Sequence, residues 1–261
     1  MPTQDFILEL FCRVDDAMRD VAKHSQANLY PSEIVTLGIL FALKGVGNRA
    51  FYRRLERDWK ALFPQLPDRT RLFRLFKAHQ DWTNRFLAAP SLLGVADTYG
   101  IELLHPMREG RSPKQVGKKG KSNHRWIVGG KLAFVLNHLG LVTTWNCDTA
   151  NVHDSTFQPS VAQFVDEMVV LVDTGFHSKD GDPPNMKVCP RGTWNVRMIV
   201  EGVLSMLTTV CHFKKVGHRV WTYFRARLAF TIAMFNLLVQ WHGFQPDETG
   251  FVHLSIAEFS L

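Results

Sequence analysis

Three acidic side chains and one arginine have the types and spacing to do chemistry. Asp173 ends the apolar run Met168 to Val172 and is followed by the turn-forming pair Thr174-Gly175, which puts a carboxylate at the C-terminal end of a buried strand. Asp97 repeats the pattern behind the shorter apolar run Leu92 to Ala96. Glu201 belongs to a stretch of helical length, Trp194 to Thr209, in which Arg197, Glu201 and Ser205 fall at i, i+4 and i+8, one polar line on an apolar helix. Carboxylates so presented suit a divalent-metal site, because Mg²⁺ takes hard oxygen ligands from one or two carboxylates and leaves its other positions to water and phosphate. Arg197, one turn before Glu201, would orient that carboxylate or meet a phosphate; the alternative is an ordinary i, i+4 ion pair worth a few tenths of a kcal/mol.

The elements that must position these groups can be read around them. Residues 1–90 read as helices only. Phe6 to Val21 is amphipathic, Pro31 to Lys44 is apolar nearly all round with Pro31 at its start and Gly45 and Gly47 at its end, and a two-faced helix follows. In that third helix Phe51, Leu55 and Trp59 line one side while Arg49, Arg53, Arg54 and Arg57 occupy the rest. A helix, a short glycine-containing turn and an arginine-rich helix fit a helix-turn-helix DNA reader, with a solvated helical bundle as the alternative. Arg69 to Leu87 reads as one further basic and aromatic helix. From Leu92 the texture becomes strand-like, with Thr98-Tyr99-Gly100 turning the Asp97 strand into a hairpin with Ile101 to Leu104. Trp126 to Leu136 and Leu141 to Cys147 are the next two strands. Lys131, a lone charge within the first of them, either points at the site or snorkels from an edge. Asp154 or Ser155 caps a helix that runs to about Glu167 and leads into the Met168 strand, and His153 beside it reads as part of the same cap rather than as a metal ligand. A meander followed by a strand–helix–strand crossover makes an α/β fold, a mixed sheet covered by helices.

Charge points to the partner. The 261 residues carry a formal charge of +7, a balance that favours polyanions. Its distribution says more. Between Arg108 and Arg125 seven lysines and arginines, among them Lys114, Lys118, Lys119 and Lys121, stand against the single Glu109, with glycines and a proline interspersed, as in a mobile phosphate-contacting loop. Downstream, Lys214, Lys215, Arg219 and Arg225 interleave with Phe213, Trp221 and Tyr223, a mixture able to stack on bases and hold phosphates. Cys12, Cys147, Cys189 and Cys211 are widely spaced without a C-x-x-C pair, as expected of reduced thiols in a cytoplasmic protein. Ala226 to Trp241 is shorter than the ~20 residues a membrane span needs and reads as a core helix, so no membrane is expected.

Asp97, Asp173 and Glu201 in this order resemble the DDE active site of the ribonuclease H-like transposases of bacterial insertion sequences. The likeness extends to the blocks around them, VADTYGIEL, TANVHD, VLVDTGFH and RGTWNVRMIVEGVLSML, and to PSEIVTLGILF and RAFYRRL in the helical part. The resemblance implies two Mg²⁺ or Mn²⁺ ions held by Asp97, Asp173 and Glu201, in a ribonuclease H-like mixed sheet with flanking helices over residues 91–261. An all-α region over residues 1–90 would bind the DNA ends. It further implies cleavage at the element's terminal inverted repeats, joining of the 3′-hydroxyl to double-stranded target DNA, and a homodimer assembled on DNA. The family's Tyr-x2-Arg-x3-Glu-x6-Lys signature is partly kept: Arg197 and Glu201 are in place, Trp194 stands for the Tyr and Thr208 for the Lys, with Lys214 or Lys215 as substitutes, and Gly202 follows the Glu directly. A metal-dependent nuclease that never joins, and an inactive DNA-binding relic or repressor, are the rival readings.

Overall fold

The computed structural model describes residues 3–122, 125–190, 197–213, 217–244, 248 and 255–259. Four α-helices come first: α1 (Thr3–Ala17), α2 (Pro31–Lys44), α3 (Asn48–Asp58) and α4 (Arg69–Ala78). Pro31 opens α2, and the Glu33 carboxylate accepts the Tyr30 N–H at 2.7 Å to satisfy an orphan donor of its first turn. Gly45, at φ 59°, ends it in the left-handed conformation that glycine adopts without cost. On α3, Phe51 and Leu55 are buried. Asp68 accepts the Arg71 N–H and starts α4. The continuous helix expected to Leu87 is interrupted, because His79 leaves helical geometry and the Thr83 hydroxyl donates to the Gln80 carbonyl at 2.6 Å, turning Gln80–Phe86 into a 3-10 segment.

The sheet contains β1 (Leu93–Leu104), β2 (Lys118–Ser122), β3 (Arg125–Asn137), β4 (Val142–Thr149), β5 (Val169–Val172) and β6 (Met186–Val188). It is mixed. Its order is β2-β3-β1-β5-β6, with β4 paired to the same strand β3 as β2. β3 runs antiparallel to β1, β2 and β4, while β5 runs parallel to both β1 and β6. The expected hairpin after Asp97 does not form. β1 is one 12-residue strand whose pairing with β3 continues through Thr98↔Ala133, Tyr99↔Leu132 and Gly100↔Lys131, and long-range pairing overrides the local turn propensity. The basic stretch is likewise not a loop throughout: Lys118 to Ser122 pairs with β3, and Gly120 lets the strand lie directly against the Ala150 carbonyl. The helix expected to Glu167 is shorter, a 3-10 turn over Asp154–Phe157 followed by α5 (Gln158–Ala162).

Alternation along the strands divides the sheet's two faces. Val95, Ile101, Leu132, Phe134 and Leu136 join a core that includes α6 (Arg197–Thr209), α7 (Trp221–His242) and the N-terminal helices. Ala96, Ala133, Val135, Val170 and Val172 face the other way, against Phe157, Val161 and Phe176. α7 is buried on nearly every side between Ala226 and Val239, because it runs between α2 and the sheet. Asn236 bonds both backbone groups of Val142 and the Phe86 carbonyl, which fixes β4 and the 3-10 segment to this helix. The Arg227 guanidinium donates to the Phe41 and Ala42 carbonyls at the end of α2, a cation at a helix C-terminus. No single helix among the described residues is long and apolar enough to cross a membrane.

Candidate active site and nucleic-acid interface

β1 and β5 bring two of the predicted acids together. Their parallel register runs Leu93↔Val169, Gly94↔Val170 and Val95↔Leu171, and the same register continued by two residues, past the end of β5, brings Asp97 level with Asp173. Both residues are half-buried. Asp97 sits within β1 rather than at its end, opposite Phe134 of β3, and its Oδ1 accepts the Thr98 N–H at 2.7 Å. Asp173 closes β5, caps the 3-10 turn Thr174–Phe176 and accepts the Gly175 N–H at 2.9 Å. This is the carboxyl end of a parallel strand, where open α/β sheets place their ligands.

Glu201 comes from a helix rather than from the sheet. It is exposed on α6, whose buried side presents Val200, Val203 and Leu207 to the same core as Val95 and Phe134. Among the described residues no three His, Cys, Asp or Glu side chains gather closely enough to hold a metal ion between them. Two carboxylates on adjacent strands are the kind of donor set that suits a hard divalent cation keeping water or phosphate at its other positions. Arg197 opens α6 four residues before Glu201. Trp194, Lys214 and Lys215 lie outside the described residues. Thr208, where the resemblance would place a lysine, donates its hydroxyl to the Ser205 carbonyl at 3.0 Å.

No family model matches this chain, and the comparison with curated proteins found no match. What the site can do has to come from its geometry.

Cationic side chains line a row of clefts that share residues. α2 and α3 cross at 117° through Gly45-Val46-Gly47, within the range of a helix-turn-helix, and Arg49, Arg53, Arg54 and Arg57 are all exposed on α3. Arg57 is engaged by Asp58 through two contacts of 2.6 and 2.8 Å, so it offers less charge than the others. A cleft of about 540 Å³ lined by Arg49, Arg53 and Arg69 shares Arg69 and Thr70 with a second of about 610 Å³, which Asn48, His218, Arg219 and Arg227 also line. Gly217, His218 and Arg219 continue into a third, about 420 Å³, with Arg108, Arg111 and Lys114 on its walls. Leu103 and Leu104 then lead to a fourth, along Tyr99 to His105 with Arg125, ending two residues from Asp97. The α3 arginines and Arg108, Arg111 and Lys114, separate in the sequence, thus line neighbouring clefts.

The acids along these clefts are few. Glu56 and Asp68 line the first, Glu109 meets Lys119 at 3.1 Å and Glu102 meets Arg125 at 3.6 Å. Lys118, Lys119 and Lys121 project from the short strand β2, where lysines also discourage edge-to-edge pairing. Burial, reinforced by the neighbouring Arg227, pushes the His218 imidazole down to about 4, so it contributes shape rather than charge at neutral pH.

Sequence reasoning missed the joining residues and the surroundings of the aspartates. Arg69 and Arg219 read as two more basic residues among many. Asp154 reads as a helix cap, but His153 does the capping, and the Asp154 carboxylate instead accepts from Lys131 Nζ at 2.7 Å and Thr98 Oγ1 at 3.0 Å. The available signal was parity: Thr98 and Lys131 lie on the same face of paired strands.

Proposed function

We propose that this chain is a DDE-type transposase with a ribonuclease H-like catalytic sheet. It would cleave DNA at the ends of an insertion sequence and join the freed 3′-hydroxyl to target DNA. The observation that carries the reading is the parallel pairing of β1 with β5, whose register, continued past Val95↔Leu171, brings Asp97 level with Asp173. The order of an antiparallel meander, β4-β3-β1, extended by parallel β5 and β6 is compatible with such a sheet. The row of basic clefts from α3 towards Asp97 supports a polyanionic substrate longer than a nucleotide.

In this reading the oxygens of Asp97 and Asp173 hold Mg²⁺ or Mn²⁺, and Glu201 is the third ligand that the resemblance assigns. Bound divalent ions would activate the attacking oxygen and stabilise the leaving one at the scissile phosphate. The protein's own contribution is placement. Arg49, Arg53 and Arg54 put α3 against the duplex, and Arg69, Arg219, Arg108, Arg111 and Lys114 hold successive phosphates, so that the backbone is delivered along β1 to the aspartates. Sequence preference belongs to α3, since contacts to phosphate carry register and affinity but no base information. A homodimer on DNA would supply two such sites for two ends.

A second reading, DNA binding without catalysis, is favoured by the exposed Glu201 standing outside a three-ligand group. One assay separates the readings. Full-length protein is given Mg²⁺, a duplex made from the DNA flanking its gene, and a plasmid target. Nicks bearing 3′-hydroxyls and joined products are expected; nicks alone mean a nuclease, and binding alone means a repressor or relic.

A further inference from the structure

We propose that Lys131 and Asp154 form a positioning pair that sets the separation of Asp97 and Asp173; the inference rests on reading those two aspartates as metal ligands. Lys131 extends from β3 on the face opposite the α6–α7 core and donates to both the Val152 carbonyl and Asp154 Oδ1, each at 2.7 Å. The pair is largely withdrawn from water, with side chains 12% and 22% exposed. Such an ion pair adds little stability over an apolar substitute, because desolvation offsets the attraction, so a geometric role is the better account of its presence.

Its geometry reaches both aspartates. Asp154 Oδ1 also accepts the Thr98 hydroxyl at 3.0 Å, and Thr98 donates its N–H to Asp97 Oδ1 at 2.7 Å. On the other side, a Cβ placed on Gly175 would lie 2.7 Å from Asp154 Oδ2 and 3.1 Å from Asp173 Oδ1, while the Gly175 N–H donates to that same Asp173 oxygen at 2.9 Å. Asp154 therefore holds the residue after Asp97 with one oxygen and borders, with the other, the turn that orients Asp173. Lys131 fixes the carboxylate plane that makes both contacts, and its charge offsets that of Asp154. A side chain at Gly175 would press on both carboxylates.

The test is Mn²⁺ affinity of the full-length protein, measured by calorimetry well below the melting temperature, with thermal melting in EDTA run alongside. Lys131→Met and Asp154→Asn should weaken Mn²⁺ binding by about ten- to a hundredfold, the usual effect of removing a group that orients a ligand. Lys131→Arg should recover most of the loss. Thr98→Val deletes one hydroxyl at constant shape, keeps the strand intact, and should show a smaller loss in the same direction. Wild-type affinity in folded Lys131→Met, Asp154→Asn and Thr98→Val would overturn the positioning role. If the larger substitutions do not fold, unchanged affinity in Thr98→Val alone overturns it. Mn²⁺ binding that survives Asp97→Asn and Asp173→Asn overturns the metal-ligand reading instead, so the two failures are distinct.

Discussion

Asp97 and Asp173 are brought level by the register of β1 and β5 rather than by any local motif, and each already accepts a backbone N–H. Asn at either position keeps the shape and removes the ligand charge. Asp97→Asn and Asp173→Asn are therefore expected to lower Mg²⁺-dependent cleavage by more than about a hundredfold, as loss of several kcal/mol of charge stabilisation requires, while gel-shift affinity for duplex stays unchanged. His218 gives a prediction of a different kind. Its folded pKa of about 4 lies below the ordinary value of 6.5, because burial and Arg227 oppose protonation. The unfolded chain takes up this proton as pH falls through 6.5 and the folded chain does not until about 4. Stability is thus complete above pH 6.5 and declines on acidification towards 4, by roughly 2–3 kcal/mol. Melting temperature against pH should fall more steeply for the wild type than for His218→Asn over that window, and parallel curves would contradict the assignment.

At the scale of elements, the row of clefts joins features that the sequence presents as separate. Arg69→Gln and Arg219→Gln, at the junctions between its clefts, should each reduce the slope of log affinity against log salt by about 0.9 without changing which sequence is preferred. Substitutions at Arg53 or Arg54 on α3 should change the preference itself. On α6, Gly202 is exposed with open space where a Cβ would sit. Gly202→Ala should raise stability by about 0.5–1 kcal/mol in chemical denaturation, since helix propensity is the only term altered. Elements with local signals were legible: Pro31 and Gly45 bound α2, the Phe51 and Leu55 stripe marks α3, and the Met168 run ending in Asp173 marks β5 with its terminal carboxylate. Elements decided by distant partners were not. Gly100 looks like a turn until β3 lies beside it, Lys118 to Ser122 looks like a loop until it pairs with Arg125 to Gly129, and Asp154 looks like a cap until Lys131 and Thr98 are placed opposite. Half of the candidate site was readable for the same reason. Strand-end acids carry their own punctuation, whereas the groups that hold them come from the other face of the sheet.

Across the whole molecule one helix, α7, connects the N-terminal helices to the sheet. α7 packs Phe230 against Gly38 of α2, bonds α2 through Arg227, and bonds β4 through Asn236. Helices expected to grip DNA and the sheet expected to cut it therefore share apolar surface, and a single cooperative melting transition is expected in calorimetry; two separated transitions would show that they unfold independently. The central claim is that the paired aspartates gather a divalent ion, and it can be tested without knowing the DNA ends. Fe²⁺ bound in place of Mg²⁺, with ascorbate and peroxide, cuts a polypeptide near the metal. Peptide mapping should find backbone cuts in β1 around Asp97 and beyond β5 around Asp173, suppressed by excess Mg²⁺ and lost in Asp97→Asn and Asp173→Asn. Cuts clustered elsewhere, or cuts indifferent to both substitutions, would contradict the account.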